Sequence, residues 1–72
     1  MSRTESIKNN VYELRRVACL TQEVFAEKIG VSRQTVIAIE KGNYTPSVLL
    51  ALKISVVFDV SVEKFFKISY EK

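Results

Sequence analysis

Residues 21–41, TQEVFAEKIGVSRQTVIAIEK, leave the chain few ways to fold. Thr21 has the short hydroxyl side chain that caps a helix N-terminus by accepting from a first-turn amide. Behind it, Gln22 to Ile29 place Phe25, Ala26 and Ile29 on one face at helical spacing. Gly30 then ends the helix, because a left-handed C-terminal cap favours the residue without a Cβ. Ser32 caps again, a further helix runs from Arg33 to about Lys41, and Gly42 stops it. Ala26 is small where the two helices must cross closely, and Val31, Val36 and Ile39 plug the angle between them. A generic helical hairpin accounts for the glycine but not for the whole set.

Two short helices joined by about three residues containing a glycine form a helix-turn-helix. The flanking sequence adds further helices. Asn10 with Glu13 three residues on reads as a capping-box variant ahead of a first helix, Val11 to Ala18, with Val11, Leu14 and Ala18 inward. Thr45-Pro46-Ser47 is a turn and N-cap for a fourth helix ending near Phe58, and Ser61 opens a short fifth helix through Phe66. At the ends, Glu5 to Lys8 and Phe66 to Tyr70 have extended character, with Phe66, Ile68 and Tyr70 alternating with polar residues. Either they pair as one small antiparallel sheet or both are frayed tails. The expected fold is all-α: a compact five-helix domain over residues 1–72, with that two-stranded sheet as an optional addition.

A 72-residue chain is expected to bury only about 60% of the surface its unfolded form exposes. Disulfides cannot reinforce this core, because Cys19 is the sole cysteine. With no histidine, a structural metal has too few ligands, and no cofactor is expected. Self-association as a homodimer is the remaining source of stability. No run approaches the ~20 apolar residues of a membrane span. Arg3 is followed by no apolar segment of the signal-peptide kind, and a lone thiol suits the cytoplasm. The formal charge of +3 leans only weakly toward a polyanionic partner.

The third helix is more informative. With Val36, Ile39 and Glu40 inward, its opposite face presents Arg33, Gln34, Ile37, Ala38 and Lys41, a surface without an acidic side chain. Recognition helices meet base edges chiefly through their N-terminal residues. Gln34 suits adenine, Arg33 suits guanine or a phosphate, and Ile37 or Ala38 can touch a thymine methyl. Thr35 is placed with these base readers. The expected partner is double-stranded DNA. Thr21 and Gln22, at the start of the second helix, face a place favourable to phosphate, and Lys41, Asn43, Tyr44 and Thr45 are expected to add backbone contacts.

From Asn10 to Phe66 the chain resembles the phage repressor/Cro (XRE-like) type of helix-turn-helix regulator. The resemblance lies in Leu14-Arg15, Leu20-Thr21-Gln22, the Gly30 to Thr35 run, Ile39 to Gly42 and Pro46-Ser47. It implies a lambda-repressor-like fold, a phosphate contact by Gln22, and a largely buried ion pair between Arg15 and Glu40. The termini are similar to small repressors of the cytolysin-repressor kind, which implies paired terminal strands and a dimer.

Departures from that pattern are specific to this chain. Cys19 stands where glycine or a polar residue is usual, either as a redox-sensing thiol or as a partly buried small residue. Asp59 replaces a usual glycine or asparagine at a helix end and tolerates the left-handed region. Leu49 and Val56 share a face of the fourth helix, offered to another chain or covered by a terminus of this one. Val62, Phe65, Phe66 and Ile68 are richer in apolar area than one thin core needs, so residues 60–72 are the expected dimer interface. A dimeric repressor on a palindromic operator, with no small-molecule ligand, fits these features. The alternative is an antitoxin-like interaction module that binds DNA for autoregulation, using the Met1–Ser6 and Ile68–Lys72 tails. An enzyme lacks support, since no nucleophile–base pair is present.

Overall fold

The computed structural model describes residues 4–71. They form β1 (Thr4–Asn9), α1 (Val11–Val17), α2 (Gln22–Ile29), α3 (Arg33–Lys41), α4 (Val48–Phe58), a single 3-10 turn (Val62–Lys64) and β2 (Phe66–Glu71). Met1, Ser2, Arg3 and Lys72, which include the tips of both tails considered above, lie outside the described residues. Among the described residues no helix is long and apolar enough to cross a membrane.

Local chemistry sets most helix ends. The hydroxyls of Thr21, Ser32 and Ser47 accept from the amides of Val24, Thr35 and Leu50, capping α2, α3 and α4. Gly30 and Gly42 close α2 and α3 at φ of 76° and 80°. A Cβ at Gly42 would meet nothing within 4 Å, and one at Gly30 only the Lys53 ammonium at 3.7 Å. Backbone angle rather than space therefore requires glycine there. Cys19 and Asp59 adopt the same left-handed conformation after α1 and α4, at φ of 60° and 55°. Cys19 is exposed rather than partly buried.

Three expectations are corrected. The capping box at Asn10 does not form, as its side chain makes no cap bond. Asn9, one residue before the N-cap position, supplies the side-chain bond instead: its Oδ1 accepts from the Val11 amide at 3.1 Å, while its Nδ2 donates to the Ile39 carbonyl at 2.9 Å. The cause is long-range. The Asn10 amide donates to the Phe65 carbonyl at 3.1 Å, so the chain leaves β1 already tied to the far end of the sequence. Second, α1 ends at Val17, and Ala18, expected inward, is exposed. Third, the fifth helix shrinks to the 3-10 turn, so the fold has four α-helices and a two-stranded sheet. Phe66 is claimed by the sheet, where it opposes Asn9, and helix cannot extend into it.

The terminal segments pair as an antiparallel ribbon, running from Thr4 opposite Glu71 to Asn9 opposite Phe66. Lys8 and Lys67 face each other across it, a like-charge pair that weakens a ladder. Beneath it lies the core of Val11, Phe25, Ala26, Ile29, Val36, Ile39, Leu50, Ile54 and Phe65. Phe25 stacks on Phe58 with ring centroids 5.1 Å apart, joining α2 to the end of α4.

One polar contact sits within this packing. Arg15 donates from Nε to Glu40 Oε2 at 2.6 Å and from Nη2 to Oε1 at 3.2 Å. Its Nη1 donates to the Leu20 carbonyl at 2.9 Å. The two side chains are only 8% and 6% exposed. The hydrogen bond to Glu40 holds the Arg15 guanidinium protonated above its ordinary range, against the opposing effect of desolvation. Arg15 thus stays protonated, and removing one member of the pair leaves a buried charge without its counterion.

Two stability measurements follow from these contacts. Asn9→Ala should cost about 1–2 kcal/mol in urea unfolding, the worth of a cap, and Asn10→Ala only a few tenths; the reverse order would return the cap to Asn10. Arg15→Met should cost about 3 kcal/mol, and adding Glu40→Leu should restore much of that loss. Strictly additive losses would show that the two side chains are not coupled.

Candidate nucleic-acid interface

α3 turns Val36 and Ile39 into the core and lays Arg33, Gln34 and Lys41 open to solvent, with Thr35, Ile37 and Ala38 half-buried between them. The packing that fixes this orientation comes from α2, whose Phe25, Ala26 and Ile29 are buried on the other side of the turn. Val31 fills the corner, half-buried against the same core. The open face of α3 thereby carries two cationic groups, one amide and small apolar surface. The acidic side chain of α3, Glu40, is folded inward and neutralised by Arg15.

The N-terminus of α2 stands beside that face. Thr21 is exposed, with its oxygen engaged in the cap to Val24 and its own proton free to donate. Gln22 is half-buried, and its Nε2 donates to Glu40 Oε1 at 3.2 Å. The side chain expected at a phosphate is therefore anchored on the inter-helix ion pair, with one amide hydrogen left over. Beyond α3, Asn43, Tyr44 and Thr45 are exposed, and the Asn43 amide closes the helix by donating to the Ala38 carbonyl at 2.9 Å. Tyr44 keeps 46% of its surface in solvent, enough for an aromatic contact along a backbone.

Thr35 differs from its expected place. Its Oγ1 lies 3.1 Å from the Ser32 hydroxyl, inside the cap of α3 rather than free on the open face. The residues expected at a dimer interface divide. Phe65 is 1% exposed and belongs to the chain's own core, where it packs edge-on against Phe66. Val62 and Phe66 are half-buried against that core, and Ile68 is exposed. Apolar exposure concentrates instead on α4, where Val48, Leu49, Leu52 and Val56 are each more than half exposed. No described segment of the chain covers Leu49 or Val56.

Tyr12 and Arg16, which the sequence left without a role, border the same side as the α2 N-terminus. They stand four apart on α1, a spacing that puts two side chains in contact. Arg16 Nη1 donates to the Tyr12 hydroxyl at 2.6 Å. That aromatic–basic spacing was the signal available in the sequence.

Comparison with known proteins agrees with this geometry. The profile of the family described as helix-turn-helix matches residues 12–65. An uncharacterised HTH-type transcriptional regulator of Methanocaldococcus jannaschii is 53% identical over 60 residues, covering 83% of this chain and 91% of its own. The uncharacterised HTH-type transcriptional regulator YgzD of Bacillus subtilis is 51% identical over 65 residues, covering 90% and 98%. Among solved structures, the restriction-modification controller protein C.AhdI from Aeromonas hydrophila superposes with a TM-score of 0.69 at 30% identity, over 75% of this chain and 82% of that one. Matched by that profile over most of its length and by relatives named as HTH-type transcriptional regulators, the chain belongs to the XRE-like helix-turn-helix family of transcriptional regulators.

Proposed function

We propose that the chain is a sequence-specific double-stranded DNA-binding regulator that acts as a dimeric repressor, with α3 in the major groove of a near-palindromic operator. The observation that carries this reading is the inward burial of Glu40. It leaves an open helix face whose charges are all positive, beside a second helix that offers its N-terminus to the same side. Arg33, Gln34, Ile37 and Ala38 would meet bases. Thr21, Gln22, Lys41, Asn43, Tyr44 and Thr45 would hold phosphates and set the register. The relatives bear the names of transcriptional regulators, which favours regulation over the antitoxin-like alternative.

Pairing of two copies supplies the spacing that a single recognition helix lacks, about 34–36 Å between half-sites. The apolar face of α4 supports this better than the C-terminal segment first expected, because Phe65 is already buried. Val48, Leu49, Leu52 and Val56 lie along one side of an eleven-residue helix whose one charged residue is Lys53. Two such faces are self-complementary under a two-fold axis. Ile68 adds an exposed apolar side chain on the ribbon.

Selection from a random duplex pool with the purified protein tests the reading directly. The expected product is a two-fold symmetric site, and Gln34→Ala should weaken its binding by about 1–3 kcal/mol while relaxing preference at one base position. Recovery of no preferred sequence would remove the reading. Sedimentation should show a dimer in the absence of DNA and a monomer for Val56→Glu; a wild-type monomer at all usable concentrations would remove the pairing surface.

A further inference from the structure

The cleft between α1 and the N-termini of α2 and α3 holds more hydrogen-bond donors than the motif itself contributes. It is open to solvent, about 430 Å³ in volume, and its lining includes Tyr12, Arg16, Thr21, Gln22 and Arg33. Among the described residues, Arg16 and Arg33 have no carboxylate within ion-pair distance. The one acid lining the cleft is Glu23, exposed at its rim. Arg15 also lines it but is neutralised by Glu40.

Tyr12 organises this cleft. Its ring lies 5.3 Å from the Arg15 guanidinium and 5.5 Å from that of Arg16, so it has one cation fixed in the protein and another facing solvent. Its oxygen accepts from Arg16 Nη1 at 2.6 Å, which leaves the phenolic proton free to be donated outward. Arg16 is therefore held on an exposed surface by a bond and a ring that are themselves registered on the buried ion pair. Holding a long cationic side chain in place removes the ordering cost that a mobile one incurs on binding.

We propose that Tyr12 and Arg16 form a backbone-phosphate seat on α1, closed on its other side by Thr21. It grips a phosphodiester flanking the bases met by α3. The chemistry recognised is a single phosphate monoanion, with donors converging from Arg16, the Tyr12 hydroxyl and the Thr21 hydroxyl. A guanidinium suits this through its fork of N–H groups. The seat extends the footprint beyond the helix-turn-helix and carries no base preference. It rests on the DNA-binding reading above, and a phosphate contact on any duplex is enough to test it.

The experiment measures binding of the full chain to a fixed duplex as a function of salt. Arg16→Ala should lower affinity about tenfold at low salt and reduce the slope of log affinity against log salt by about one, since one fewer counterion is released. Arg16→Lys should keep the slope while losing part of the affinity, because the charge survives without the fork. Tyr12→Phe should also keep the slope and weaken binding a few-fold, through loss of the bond that aims Arg16. Both side chains are solvent-facing, so unfolding midpoints should stay near wild type, which separates the effect from a folding defect. An unchanged slope in Arg16→Ala alongside a salt-dependent wild type would overturn the seat alone. Altered base preference in Arg16→Ala would overturn it too, by making Arg16 a reader. A wild type that binds no duplex would overturn both the seat and the function on which it rests.

Discussion

The contact on which the rest of the molecule depends is the charged pair between Arg15 and Glu40. Two charges taken out of water regain their solvation only if their hydrogen-bonding capacity is used. Here it is used fully enough to bind three helices together. Glu40 receives two bonds from Arg15 and one from Gln22, and Arg15 sends its remaining arm to the Leu20 carbonyl. α1, the turn before α2, the start of α2 and the end of α3 are all fastened to one site. The same pair removes the acid from the face of α3, so one interaction fixes the angle of the motif and sets the sign of its surface. Geometry and electrostatics have a common origin.

How much of this was readable in advance depends on the range of the interaction involved. The caps at Thr21, Ser32 and Ser47 are local, each a hydroxyl three residues from the amide it binds, and they stand where the sequence placed them. The inward faces of α2 and α3 follow from periodicity and are likewise as read. Asn9 and Asn10 are chemically identical neighbours, and which of them bonds the first amide of α1 is decided by the Phe65 carbonyl at the other end of the chain. Residues 62–66 have helical spacing, yet pairing of Phe66 with Asn9 overrides it. Phe65 shows the same difficulty in the core: an apolar excess in sequence does not reveal which member is buried at home. Arg15 and Glu40 lie 25 positions apart, and their partnership was visible only through the family resemblance.

Four helix ends reach the left-handed region by different means. Gly30 and Gly42 do so without steric penalty, whereas Cys19 and Asp59 carry a Cβ there. An aspartate offsets part of that cost by its tolerance of the conformation; a cysteine has no such compensation. The turn between α1 and α2 is thus the one end held in place chiefly by its surroundings. Arg15 supplies that hold, donating to the Leu20 carbonyl one residue past Cys19.

The terminal ribbon has a consequence for the order in which the molecule assembles. Thr4 opposite Glu71 closes nearly the longest loop this sequence can form, whereas the helical turns close loops of a few residues. Closure entropy rises with loop length, and long-range pairing is slow to be rewarded. The helices can therefore collapse onto Phe25, Val36 and Ile54 before the two ends find each other. The ribbon itself gains little from its charges, since Lys8 stands opposite Lys67. Wherever the ribbon opens, α1 loses its N-terminal side-chain bond, because Asn9 belongs to β1. The same Asn9 side chain donates to the Ile39 carbonyl, so opening of the ends is felt in the last turn of α3 as well as at the start of α1.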